Sequence, residues 1–205
     1  MSKKNRRQSI KQEKRQGEVK AREASAPIVI RFVAYLIDWL LGLLVSAFPL
    51  VIIIGSVTGS TDVSDNLLSI SFPWNIIGGL LAILFGFGYY VLIPWKVWKG
   101  QTPGKRMLNI VILTEKYKEV TFKALVMRQF VGLFILEGFL ISSSRYLRDI
   151  ILVITGSEVL VQYLYYAAIS ISLVSVLMAV FTWKNQALHD RLAKTRVYPV
   201  KSINS

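Results

Sequence analysis

The chain has 205 residues, of which 53% are hydrophobic and only 18% charged, with a formal net charge of +13. It has no cysteine and one histidine, which excludes disulfides, a thiol nucleophile, an iron–sulfur cluster and a clustered His or Cys metal site. The apolar residues gather in runs too long for the helices of a small soluble domain, so the bilayer is the expected solvent.

Residues 1–26 form a basic tail with no apolar periodicity, read as a disordered or surface-lying arm. Such a tract is attracted to anionic lipid headgroups. Nucleic-acid binding is not expected, because no aromatic residues interleave and an apolar run follows at once. That run, about 28–55, is long enough to cross a bilayer core with room for tilt. It lacks the short apolar core and small-residue site of a cleavable signal.

Residues 56–71 are small and polar, with Asp62 and Asp65 and no Lys or Arg. A second span, about 72–95, is bracketed by Trp74 and Trp95 as interfacial anchors. Residues 96–123 are basic, with a turn at Thr102–Pro103–Gly104 and a stretch at Met107–Thr114 that reads as a short strand or an interfacial segment. Gly100–Lys105 is no phosphate loop: the glycine spacing is one short, and Arg106 stands where Ser or Thr is required.

A third span, about 124–142, carries Arg128 at its start and Glu137 inside. The stretch Ile150–Thr155 is too short to cross and is placed at the interface or as a re-entrant piece. The last span is about 159–183. The N-terminal tail, the 96–123 loop and the C-terminal tail hold 21 of the 25 basic residues, so all three are assigned to the cytoplasm. The fold class is therefore an all-α membrane protein, a bundle of about four transmembrane helices with both termini cytoplasmic.

Charge inside a bilayer core costs at least about 2.5–3.5 kcal/mol per group, so a retained one is a candidate for function. Arg31 and Asp38 are seven residues apart and share one helix face, which continues as Gly42, Ser46 and Pro49. Asp38 lies roughly 15 Å past Ile28, near the midplane, and must be protonated, paired or coordinating a cation. Arg31 has snorkelling to the headgroups as its plain reading. Small residues at Gly78, Ala82 and Gly86, and at Ala168, Ser172, Ser175 and Ala179, offer close-packing faces. Glu137 is a second intramembrane acid, read either as an ion site or as facing a helix end or Arg145. No arrangement of catalytic residues is present, and no enzyme, cofactor or metal is expected.

Three blocks stand out together: R-F-V-A-Y-L-I-D at 31–38, G-Q-T-P-G-K-R at 100–106 and H-D-R-L-A-K-T-R-V at 189–197. Together they resemble the RDD family of bacterial membrane proteins, over about residues 27–200. The resemblance implies that Arg31 and Asp38 are the arginine and aspartate of the first helix. It implies that Asp190 is the second aspartate, in the cytoplasmic segment after the last helix, and that Arg128 is a frequent arginine before the third span. Glu137 is not part of that signature. With the resemblance, Asp190 is expected to fold back and pair with Arg31. The functions implied are transport, including cation/proton antiport in a bacterial inner membrane, or an adaptor or regulator role in membrane complexes. A homo-oligomer or a membrane-protein partner is expected with either.

Overall fold

The structure is a computed structural model that describes residues 25–59, 64–138, 141–182 and 185–200. The basic arm and residues 201–205 lie outside the described residues. Helix α1 (Ile28–Thr58) has 31 residues, about 46 Å against a bilayer core of about 30 Å. Its buried residues include Ala34, Asp38, Gly42, Ser46, Pro49, Leu50 and Ile54, so the polar and small stripe is the face turned to the other helices. Its other faces expose Phe32, Leu36, Leu40, Leu44, Phe48 and Ile52, as lipid-facing surface does.

Helix α2 (Trp74–Phe87) buries Gly78, Gly79, Ala82 and Gly86. It continues through Gly88–Val97 in wider π-type turns that contain Pro94. The ladder there shifts to bonds such as Trp98 N–H to the Ile93 carbonyl. The glycines let other helices approach: a Cβ at Gly78 would meet Leu50 of α1 at 2.7 Å, and one at Gly79 would meet Ile150, later in the chain, at 2.8 Å.

A short helix, α3 (Pro103–Met107), leads into strand β1 (Ile110–Thr114). Helix α4 (Phe122–Leu125) runs on as π-type turns over Val126–Leu136 and closes at Glu137. Helix α5 (Ser142–Thr155) follows, ended by the left-handed Gly156. Helix α6 (Glu158–Phe181) returns, and α7 (Leu188–Leu192) leads into strand β2 (Thr195–Pro199).

Strands β1 and β2 pair antiparallel, from Ile110 opposite Pro199 to Thr114 opposite Thr195. The mostly helical reading holds, and this two-stranded sheet is an addition to it. Of the stretch Met107–Thr114, Ile110–Thr114 is a strand, and residues of the basic C-terminal tail are its partner. Ile110, Ile112 and Val197 pack with Ala26, Ala34, Val91 and Leu125, so the sheet closes the end of the bundle where α1 begins and α2 ends. The Lys- and Arg-rich segments gather here, and we call it the basic end.

Among the described residues, three helices are long and apolar enough to cross a membrane: Ile28–Thr58, Trp74–Val97 and Glu158–Phe181. The stretch expected as the third span, 124–142, is different. Its helix stops at Leu136, and the chain resumes as α5. Arg128 and Gly132 on α4 meet α7 at the basic end. On α5, the Ser143 hydroxyl bonds to Ser46 in the middle of α1 at 2.8 Å, Ile150 lies against Gly79, and Arg145 reaches Asp65 at the far end. Helices α4 and α5 therefore cover successive halves of the bundle. The stretch Ile150–Thr155, expected at the interface or as a re-entrant piece, is the second half of α5, whose first half buries Tyr146 fully among Leu50, Leu67, Ala82 and Ile150.

Candidate functional site

The two family-like aspartates are both buried at the basic end, at 1% exposure for Asp38 and 0% for Asp190. Each is met by a segment that leaves a long helix and folds back onto the bundle.

After α2, Gly100 takes a left-handed conformation and its N–H bonds to the Pro94 carbonyl, turning the chain back on itself. Pro103, at the first position of α3, suits a helix start, where its missing N–H costs nothing. The first-turn amide of Gly104 has no partner within so short a helix, and Asp38 supplies one, Gly104 N–H to Oδ1 at 2.8 Å. The Tyr89 hydroxyl donates to Oδ1 at 2.9 Å, the Thr102 hydroxyl donates to Oδ2, and the Lys105 ammonium binds Oδ2 at 2.9 Å. Lys105 also donates to the Thr102 hydroxyl at 3.1 Å. Tyr90 donates to the Asp38 carbonyl at 2.8 Å, its hydroxyl fitting where Gly42 has no Cβ. The approach of α3 requires a glycine: a Cβ at Gly104 would meet the Ala34 carbonyl oxygen at 2.5 Å and the Asp38 carboxyl carbon at 2.9 Å.

The Asp38 carboxyl thus sits in a cradle of three neutral donors and one lysine. Tyr89 is 15 residues from Trp74 and 6 from Trp95, roughly 22 Å and 9 Å along a helix. Along α1 itself Asp38 is the eleventh of 31 residues, nearer the basic end than the middle of the helix. It can do so because α1 is longer than a bilayer core, and because α3 turns inward to meet it.

After α6, the chain folds back in the same sense. Leu188 N–H bonds to the Ser175 hydroxyl at 2.9 Å, two turns inside the end of α6. Asp190 Oδ2 binds Arg31 at 2.6 Å and accepts from Ala187 N–H at 3.2 Å. Asp190 Oδ1 lies 2.7 Å from Arg128, a close charge contact rather than an aligned hydrogen bond. Arg31 also donates to the Asn185 carbonyl, and Arg128 to the Thr195 hydroxyl at 3.3 Å. The expected pairing of Arg31 with Asp190 is present, with Arg128 as a third member. Burial alone would raise the Asp190 carboxyl. The guanidiniums of Arg128 and then Arg31 outweigh it and hold the group well below the usual carboxylate range.

Glu137 completes this network. It does not meet Arg145, which binds Asp65 at 2.5 Å instead. Its carboxylate accepts from the His189 backbone N–H at 2.9 Å and lies 3.0 Å from the His189 ring. Of the earlier readings, facing a helix end is the one realised, since His189 is in the first turn of α7.

Asp38, Arg31, Asp190, Glu137 and Arg128 therefore resolve into two clusters, Asp38 alone in one and the other four together. Sequence reasoning missed Thr102, Lys105, Tyr89 and His189. A signal existed for Lys105: an acid deep in a span needs a counter-charge, and Gly100–Arg106 brought two basic residues on a glycine-rich turn.

The family model for RDD family matches residues 25–194, which takes in both clusters and every element down to α7. The chain belongs to the RDD family. No curated protein and no solved structure matches it. The arginine and both aspartates of this RDD protein are the residues that tie the returning segments to α1.

Proposed function

We propose that this RDD protein is a small cation/proton or solute transporter of the bacterial inner membrane, with Asp38 as its ion-binding group. In this reading, α4 and α5 together make the fourth crossing, and both termini lie in the cytoplasm. The basic end then faces the anionic lipid headgroups of the inner leaflet, in line with its excess of Lys and Arg. No catalytic step is part of the reading.

One observation carries it: the counter-charge of Asp38 is a lysine on a docked loop helix. A lysine can give up its proton when desolvated, which an arginine cannot. Exchange then balances. A monovalent cation takes the Asp38 oxygens together with the Thr102 and Tyr89 hydroxyls, a hard oxygen set suited to alkali cations. The Lys105 ammonium releases one proton and becomes a neutral amine. Before and after, the site is neutral, so neither state leaves an unpaired charge in a buried place.

The test is cation and proton flux in proteoliposomes holding the wild type or Asp38→Asn. The expected result is exchange by the wild type and none by the folded variant. Absence of flux above empty liposomes from pH 6 to 9 would remove the exchange reading. The adaptor alternative would then lead, because α6 buries little beyond Ala168, Ser175 and Ala179, leaving its other faces for a second copy or a membrane-protein partner.

A further inference from the structure

The chain around α3 is bracketed by left-handed backbone, at Lys99 and Gly100 before it and at Asn109 after it. Both brackets are fastened to the sheet. The Ile112 N–H bonds to the Gly100 carbonyl at 2.8 Å, and the Val200 N–H bonds to the Asn109 carbonyl at 2.9 Å. Residues 101–108 therefore form a strap, pinned at both ends, whose middle lies over Asp38.

What holds the middle down is polar. Thr102, Gly104 and Lys105 all bind the Asp38 carboxylate, and only Thr102 and Gly104 of the strap are buried. Arg106 lies over the Trp98 ring at the neck of the strap, and Met107 is exposed. Leu108 packs against the apolar core, but beside the pinned Asn109. A helix of five residues has little stability of its own. Lifting the middle thus uncovers little apolar surface, and segments of that kind open at low free energy. The other cover of Asp38 differs. Toward the far end the bundle is closed by the Ser46–Ser143 hydrogen bond and then by buried Leu50, Leu67, Ile70, Tyr146 and Ile150. Opening that side would part a packed apolar core.

We propose that residues 101–108 are a lid on Asp38, lifting between their two pinned ends to open the carboxylate to the basic end. The Asp38 contacts are its latch, so the group that the lid covers also holds it shut. The lid stands on these contacts alone. Its use as the gate for an ion rests on the transport reading above.

The test is hydrogen exchange, read by mass spectrometry, on the full chain in lipid nanodiscs. In the wild type the strap amides should exchange faster than those of β1 and β2. Asp38→Asn should speed the strap further, by about tenfold or more, as the loss of a charge-assisted bond predicts, and leave the strands unchanged. Strap amides as slow as the strands in the wild type would overturn the lid. So would a variant in which strap and strands speed up together, since that is a general loosening. Should Asp38→Asn not fold, Lys105→Gln serves in the same comparison. The direction of opening has its own reading, because the chain has no cysteine and a single introduced one reports its own position. In oriented vesicles, Asp38→Cys should react with a membrane-impermeant maleimide added on the side that labels the exposed Lys118→Cys. Reaction from the opposite side, or from neither, would overturn access through the strap. If the wild type moves no ion, the transport reading fails and the gate with it, while exchange and labelling still decide the lid.

Discussion

Asp38 and Asp190 stand at the same end of the molecule, each almost wholly buried, and each ties a returning segment to α1. Their partners differ in kind. Asp190 is gripped by two guanidiniums from two long helices, which cannot give up their protons under any ordinary condition. Asp38 is held mainly by neutral donors, and its single cation is a lysine on a five-residue helix. One site is held by arginines and the other by a lysine. In the transport reading that difference separates a staple from a working group, although in sequence both are simply an aspartate near a basic residue.

The comparison breaks most visibly at the staple. Asp190→Ala leaves Arg31 and Arg128 buried without their counter-ion and should cost about 3–5 kcal/mol. Thermal unfolding in detergent should show a large fall in Tm, or no folded monodisperse protein at all. The acid side of the stability profile sharpens the same point. The folded carboxyl of Asp190 titrates lower than the unfolded one, so its contribution is complete above the usual carboxylate pKa of about 3.9. It is lost only as the pH falls through the lower folded value. A Tm series downward from pH 7 should show a decline on the acid side that is smaller in Asp190→Asn.

Asp38→Asn should be milder, on the order of 1.5–3 kcal/mol, because charge-assisted bonds are lost while the partly exposed Lys105 can turn toward solvent. Its effect on flux should nonetheless be complete. A lesser Tm drop in Asp38→Asn than in Asp190→Ala is the ordering to check. Gly104→Ala tests the cradle without touching a charge. The new Cβ meets the Ala34 carbonyl and the Asp38 carboxyl, and overpacking of this sort costs about 1–3 kcal/mol. Flux should fall along with stability. Asp65→Asn at the far end should be smallest, under about 1 kcal/mol, because that pair with Arg145 is roughly 40% exposed and water screens it.

Much of this was legible from hydropathy and charge counting. The lipid-facing length of α1, α2 and α6 and the clustering of basic segments at one end need only run lengths and positions of Lys and Arg. The stripe Asp38–Gly42–Ser46 was legible because helical spacing puts those residues on one face. The third stretch was not. Arg128 and Glu137 dilute its apolar run, and its ladder widens and stops at Glu137, so no window of spanning length exists there. The extent of α5 was not legible for a related reason. Arg145, Arg148 and Asp149 interrupt its apolar pattern, yet Arg145 is met by Asp65, and Arg148 donates to the Gly138 carbonyl and the Ser144 hydroxyl. The partner of Asp38 was hidden because it comes from a loop 64 or more residues away, and no local pattern reports such a contact. The β2 strand was hidden inside a basic tail, where alternating Arg196 and Val197 gave too short a signal.

The most direct test of the claim that charge changes hands at Asp38 is exchange measured in Lys105→Arg. Arginine keeps the positive partner in place but does not release its proton. The account predicts a folded protein with a Tm near that of the wild type and with cation/proton exchange abolished at every pH. Exchange by Lys105→Arg at the wild-type rate would contradict it, because the proton would then have to come from somewhere other than Lys105.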